Sequence, residues 1–227
     1  MSLKWIKSGL VILAPACAFL LGCIGDTPEP TPLSFVAIYH ASPDAPGLDV
    51  YLNSEKINST AFQYEAYSGY VPVDVGANTF TFTQSGSTAT LTGAMSNFAE
   101  NASYSIFLVD EFSALDAWLF EDVTITPGSG NAAIRVVHTS PDTAPLYLTY
   151  DSETTSVSGD VAFREIPAFQ SVPAGAHDFY IRDFATGDIL LTVEENLQVG
   201  FFYTLIVKGF SNPPVGGNGL EAEILGN

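Results

Sequence analysis

Tyr39-His40-Ala41-Ser42-Pro43-Asp44 is written a second time as Val137-His138-Thr139-Ser140-Pro141-Asp142, 98 residues further along (position 40 to position 138). Leu48, Val50 and Leu52 recur as Leu146, Leu148 and Tyr150 at the same spacing. From Val75-Gly76-Ala77 against Ala174-Gly175-Ala176 the spacing is 99, and it stays so through Phe80 and Phe179, then Tyr104 and Tyr203. Leu115-Asp116-Ala117 answers Leu220-Glu221-Ala222 at 105, the additional residues falling in the loop 213–219. A register held over so long a span marks an internal duplication. Within each copy, short segments rich in Val, Ile, Phe, Tyr and Thr alternate apolar with polar residues and are separated by Pro, Gly, Asn, Asp and Ser clusters, the pattern of strands and turns.

In the first copy the strands are predicted at residues 35–39, 48–52, 70–75, 79–83, 88–92, 104–109 and 115–120. In the second they are predicted at 133–137, 146–150, 169–172, 178–182, 189–193, 202–207 and 220–225. Strands at that spacing predict an all-β chain made of two tandem antiparallel β-sandwich modules, residues 33–126 and 131–227. The boundary falls in Thr126-Pro127-Gly128-Ser129-Gly130-Asn131, and so short a connection predicts neighbours that are partly packed together. A hydrophobic share of 47% in 227 residues excludes a disordered chain. With 25 acidic residues against 7 basic ones there is no basic surface to neutralise phosphates, so nucleic acid is not an expected partner.

The first 32 residues read as an address. Lys4 and Lys7 precede an apolar run from Gly9 to Leu21, too short for a bilayer span of roughly 20 residues. Leu20-Leu21-Gly22-Cys23 resembles the lipobox of bacterial lipoproteins, so residues 1–22 are expected to be a signal peptide and Cys23 the lipidated first residue. Ile24 stands where an inner-membrane lipoprotein carries Asp, which points to the outer membrane. Residues 23–32 form a Pro-rich tether, its Gly25 to Pro32 stretch reaching roughly 25 Å if extended. Cleavage before Cys23 leaves 5 basic against 25 acidic residues and no thiol in the folded part, which must be held by packing.

The stretch from His40 to Pro46, with Leu48-Asp49-Val50-Tyr51 after it, a Val-Pro-Val or Val-Pro-Ala-Gly turn and a Tyr-bearing late strand, resembles the bacterial domain-of-unknown-function family numbered 4397. The resemblance spans residues 34–225 as two modules, the second lacking the acidic residue in Leu146-Tyr147-Leu148-Thr149. It implies immunoglobulin-like sandwiches on exported, often surface-attached proteins, and no established activity.

Three sets of residues are candidates for chemistry. His40, Ser42 and Asp44, with His138, Ser140 and Asp142, have the residue types of a catalytic triad, but such groups must be brought together in space beside an oxyanion site. Within so short a stretch, with Pro43 and Pro141, they read instead as a type I turn in which Ser accepts a backbone bond and His closes the preceding strand; a metal or ligand contact is the alternative. The acids are scattered and form no Ca²⁺-binding loop motif, so no metal or cofactor is expected. Tyr64, Tyr67, Tyr70 and Trp118 are candidate exposed rings able to stack on a sugar or a protein, and Tyr51, Tyr147 and Tyr180 occupy strand positions that face outward in the alternation. No nucleophile elbow, P-loop, dinucleotide fingerprint or zinc-protease motif occurs. The sequence therefore points to a non-enzymatic envelope protein, membrane-attached through lipid, with a binding or scaffold role. The alternative is a carbohydrate-binding accessory lipoprotein, its partner a polysaccharide rather than an envelope protein.

Overall fold

Thr79-Phe80-Thr81-Phe82-Thr83 shows how this chain builds a sheet: Phe80 and Phe82 are fully buried, while Thr79 and Thr81 between them retain exposure. The computed structural model describes residues 31–152 and 154–226; the expected signal peptide, Cys23 and the tether as far as residue 30 lie outside the described residues. Among the described residues no helix is long and apolar enough to cross a membrane. The chain is all-β, with sheets packed as sandwiches.

The first half contributes β1 (Leu33–His40), β2 (Leu48–Leu52), β3 (Glu55–Lys56), β4 (Val71–Asp74), β5 (Gly76–Gln84), β6 (Thr90–Phe98), β7 (Ser103–Val109) and β8 (Asp116–Glu121). They form one sheet in the order β4-β1-β7-β8 and another in the order β3-β2-β5-β6. The second half contributes β9 (Asn131–His138), β10 (Leu146–Tyr150), β11 (Gln170–Pro173), β12 (Gly175–Asp183), β13 (Ile189–Leu197), β14 (Phe202–Lys208) and β15 (Glu221–Gly226), in sheets β11-β9-β14-β15 and β10-β12-β13. Two differences from the alternation reading stand out. β6 and β13 run on to Phe98 and Leu197, beyond the predicted ends, and β3 is an additional short strand.

The sheets are not wholly antiparallel: β1 pairs with β7 in parallel, and β9 with β14 likewise. A parallel pair needs a long crossover, and the chain supplies it by passing through the opposite sheet before returning. A bulge sits at the same place in both halves, between Phe82 and Thr83 and between Ile181 and Arg182.

Each sandwich has its own core. Val36, Ile38, Leu48, Phe80, Phe82 and Leu108 belong to the first, and Ile134, Val136, Leu146, Phe179, Ile181 and Leu205 to the second. A third cluster joins Tyr39, Ala41, Phe107 and Val109 of β1, β7 and the residue after β1 to Val137 and Ile206 of β9 and β14. Because the third cluster uses residues that alternate with the core residues on the same strands, β1, β7, β9 and β14 are buried on both faces. The result is four layers, with the two parallel-paired sheets back to back in the middle. Burial on both faces accounts for the near-continuous apolar runs Ala132-Ala133-Ile134 and Leu205-Ile206-Val207.

Candidate functional site

The repeated motif lies where β1 and β9 end. Ser42 does not accept a bond within its own turn: its Oγ donates to the carbonyl of Asp110, 2.6 Å away just after β7, and Asp44 Oδ1 accepts the backbone N–H of Phe112 at 2.7 Å. In the second copy Asp142 accepts the N–H groups of Ser211 and Asn212 at 2.7 and 2.9 Å, Thr139 donates to Val207 O, and Ser140 bonds Thr143 at 2.5 Å. Burial alone would raise the Asp142 carboxyl, but these N–H donors outweigh it and hold the carboxyl below its usual range. The motif thus staples the loop after the first strand to the segment after its parallel neighbour.

His40 and His138 are fully buried. Each faces a carbonyl through Nε2, Pro46 O at 3.4 Å and Ala144 O at 3.3 Å, so Nε2 carries the donor hydrogen. Nδ1 of each ring has no hydrogen-bond partner among the described residues. Burial pushes His40 down to about 4 and lowers His138 in the same direction. His40, Ser42 and Asp44 each bond elsewhere, so the three are not assembled as a triad.

The aromatic candidates are placed differently from an outward-facing row. Tyr64 is half-buried and its hydroxyl donates to Glu221 of β15 at 3.3 Å. Tyr70 donates to Asp122 at 2.9 Å, and Trp118 packs beside Phe107 and Phe120 against the third cluster. Tyr67 keeps 36% exposure beside Tyr39, with ring centres 6.4 Å apart. The cause is local: His40 N–H donates to Ala66 O and Ser68 N–H to Ile38 O, so the Tyr64–Tyr70 stretch folds back on β1. These rings therefore lie in or beside the seam between the halves.

That seam contains functional-looking chemistry that the sequence reading did not single out. Arg135, 5% exposed, donates through Nη2 to Asp122 at 2.6 Å and through Nε to Thr204 at 3.2 Å, with its guanidinium 4.4 Å from the Phe169 ring. Asp122 also accepts Ser105 Oγ at 2.7 Å. Lys208, 2% exposed, is bonded by Glu65 across the seam, by Glu221 at 3.0 Å and, further off, by Glu223 at 3.7 Å. Burial pulls the Lys208 ammonium down, but the Glu65 and Glu221 bonds outweigh it and leave it raised. The Lys208 bond holds Glu65 low, whereas burial raises Glu221. Tyr39 bonds Glu223, Arg164 bonds Asp116, and Asn218 in the inserted loop donates to Pro43 O at 2.6 Å. A basic residue inside an apolar run, as in Ile134-Arg135-Val136, is the signal that would have found Arg135 in so acidic a chain. Among the described residues no group of three or more His, Cys, Asp or Glu is arranged to hold a metal ion.

Two solved structures have some similarity to this chain. One, described as alpha-glucan binding by a streptococcal virulence factor, is 13% identical with a TM-score of 0.25, covering 77% of this chain and 93% of that one. The other, a family CBM26 module of Eubacterium rectale Amy13K in complex with maltoheptaose, is 10% identical with a TM-score of 0.28, covering 84% and 96%. Overlaps this low say nothing about a ligand of this chain. Among curated proteins no sequence matches. A family model does match: it runs from residue 34 to 149, through the whole first sandwich, the linker and the second copy of the motif, and stops short of the 34–225 span that the repeat covers. With the duplicated His-x-Ser-Pro-Asp staple and half of the sequence inside that match, this chain belongs to the family described as Domain of unknown function (DUF4397).

Proposed function

We propose that this chain is a non-enzymatic, lipid-anchored protein of the bacterial cell envelope, held at the outer membrane through Cys23, whose two immunoglobulin-like modules act as one rigid body with a binding or scaffold role. The observation that carries the reading is the seam. Buried Arg135 and Lys208, the third apolar cluster and the Asn218–Pro43 bond brace the halves at several separated points. Sheets joined over whole faces hold two outer surfaces at a constant angle, which suits display and spacing more than closure around a substrate. The side chains with the residue types of a triad are each committed to backbone groups, which supports a structural role for the motif.

The test is mass spectrometry of the amino-terminal fragment from protein purified out of membranes. The expected species begins at Cys23 and carries added acyl mass, while the Cys23→Ser chain leaves the membrane fraction. An unmodified amino terminus on membrane-free protein overturns the anchor. Capture from intact envelopes with the acylated form, set against Cys23→Ser, then identifies partners that depend on placement at the membrane.

A further inference from the structure

The outer face of the β3-β2-β5-β6 sheet carries a shallow groove of about 320 Å³ lined by Tyr51, Ser54, Thr81, Thr83, Thr88 and Thr90. The register explains why these side chains converge. Tyr51 pairs with Thr81, and Thr81 with Gly93, so these three form one row across the sheet. Thr83 pairs with Thr90 in the next row. Gly93 has no side chain to fill the row's end, and a Cβ there would stand 2.8 Å from the backbone oxygen of Phe80. Among the described residues nothing hydrogen-bonds the side-chain hydroxyls of Tyr51, Ser54, Thr81, Thr88 or Thr90. Thr83, 3% exposed, makes only a 3.4 Å bond to Gln84 O. Lys56 and Asp49 on the neighbouring strands neutralise each other at 2.8 Å.

The second module has the same rows with other side chains on them. Thr149 pairs with Tyr180 and Tyr180 with Thr192, and the position of Thr83 is taken by Arg182. The Arg182 side chain lies along its own sheet, donating to Thr149 at 3.3 Å and to Gly187 O at 2.9 Å, with its guanidinium 5.7 Å from the Tyr180 ring. Duplication has kept the strands and changed the side chains these rows present, a threonine at 83 against an arginine at 182.

We infer that the Tyr51–Thr81–Thr83 groove is a binding site for a neutral polysaccharide strand. A sugar chain presents what this surface lacks: hydroxyls that both donate and accept to Ser54 and the threonines, and a C–H face to lie on the Tyr51 ring. Its volume falls at the lower end of the roughly 300–1,000 Å³ of ligand pockets. A chain with net charge −18 disfavours anionic polymers at the same surface. The inference rests on the binding role proposed above and names the ligand class and the surface that takes it.

The experiment is affinity gel electrophoresis of the full chain through soluble neutral glucans, mannan, xylan and galactan, with alginate as the anionic comparison. Retardation by at least one neutral polymer and none by alginate is expected. For the retarding polymer, Tyr51→Ala weakens binding about tenfold or more. Thr81→Val, which removes one hydroxyl at constant shape, weakens it about threefold or more. Thr83→Arg copies the second module's side chain into the groove and abolishes retardation, whereas Tyr180→Ala leaves it unchanged. Melting curves accompany each variant, and Thr81→Val stands in should Thr83→Arg fail to fold. Passage of the unmodified chain through every neutral gel, retardation by alginate to the same degree, or full binding by Tyr51→Ala overturns the site. Binding that ignores the groove variants removes this site but leaves the binding role, and the mass of the amino terminus reports on the anchor independently of both.

Discussion

The two modules share a skeleton and differ in what they present, and the difference is sharpest at Glu65 and Arg164. Both residues have positive φ, 69° and 61°, and both donate their backbone N–H to the carbonyl of the motif histidine, His40 or His138. They are the same position in two copies, yet one is an acid and the other a base. Each reaches across the seam, Glu65 to Lys208 and Arg164 to Asp116. Arg135 and Asp122 continue the pattern: among the described residues, at each of these three ion pairs the cation comes from the second module and the acid from the first. A fused duplicate is free of the constraint that a symmetric dimer imposes, where a residue must suit the partner's copy of its own surface. Backbone-bonding positions stayed alike, and charge at the seam became directional.

The comparison breaks most visibly at Arg135. Arg135→Met removes the buried cation and leaves the Asp122 carboxylate, 3% exposed, without its counter-charge, which costs about 3–5 kcal/mol. Urea unfolding monitored by fluorescence reads it directly. A double variant that also replaces Asp122 with Asn regains part of the loss, because the uncompensated charge is gone. A loss under about 1 kcal/mol would mean that the Arg135–Asp122 pair does not brace the seam.

The motif histidines give the next largest effect, and one that depends on pH. The unfolded chain protonates His40 near its ordinary pKa of 6.5, whereas burial holds the folded ring neutral down to about 4. Between those values the unfolded state binds the additional proton, so the stabilisation is complete above pH 6.5 and is lost as pH falls towards 4. Integrated, the loss is about 3 kcal/mol. His40→Ala lowers the melting temperature at pH 7 by removing a ring packed between Phe62 and Tyr64, and flattens the profile between pH 6.5 and 4. His138→Ala acts in the same direction, and a profile unchanged by either substitution would separate the motif from acid sensitivity.

Gly93 sharpens the contrast between outer faces. A Cβ at this position would approach the Phe80 carbonyl to 2.8 Å, and that oxygen belongs to the paired strand and has little freedom to retreat. Gly93→Ala is expected to cost about 1–3 kcal/mol in a thermal melt. The corresponding row in the second module ends at Thr192, an exposed side chain, and Thr192→Ala should change stability by no more than about 0.5 kcal/mol.

Strand positions were legible because half-buried strands alternate, as 79–82 does, and because the duplication gave each segment a partner against which to check it. The parallel pairing of β1 with β7 was not, since alternation records which face a residue takes and not the direction of the neighbouring strand. The seam could be read only in part. Ala132-Ala133-Ile134 followed by Val136-Val137 carries the mark of a strand covered on both faces, and Arg135 within it marks a buried partner. What no pattern in the sequence specifies is that Asp122 is that partner, or that Glu65 meets Lys208 from 143 positions away. The spacing of Tyr64, Tyr67 and Tyr70 suggested a presented row; the backbone bonds to Ile38 and His40 that turn it towards the seam depend on the fold being complete. On the outer face, Tyr51 was legible as outward-pointing, while the groove beside it arises only where Thr81 and Thr83 of β5 meet Thr90 of β6.

The smallest effect tests the directional seam most specifically. Arg164 and Asp116 are 38% and 40% exposed, so solvent screens the pair and its coupling is expected at only about 0.2–1 kcal/mol. The single substitutions Arg164→Asp and Asp116→Arg each place like charges together, and the double variant restores an opposite pair with its direction reversed. If charge direction at this crossing is a local matter, the double variant recovers most of the single losses and the coupling falls as salt is raised. The first module, however, also supplies Glu65 and Asp122, and a reversed pair sets a new acid across the seam from those acids and a new cation across the seam from Lys208 and Arg135. Recovery that is consistently incomplete at low salt and complete at high salt would show the three crossings acting as one field. Recovery that is already nearly complete at low salt would show three separate pairs that happen to point the same way.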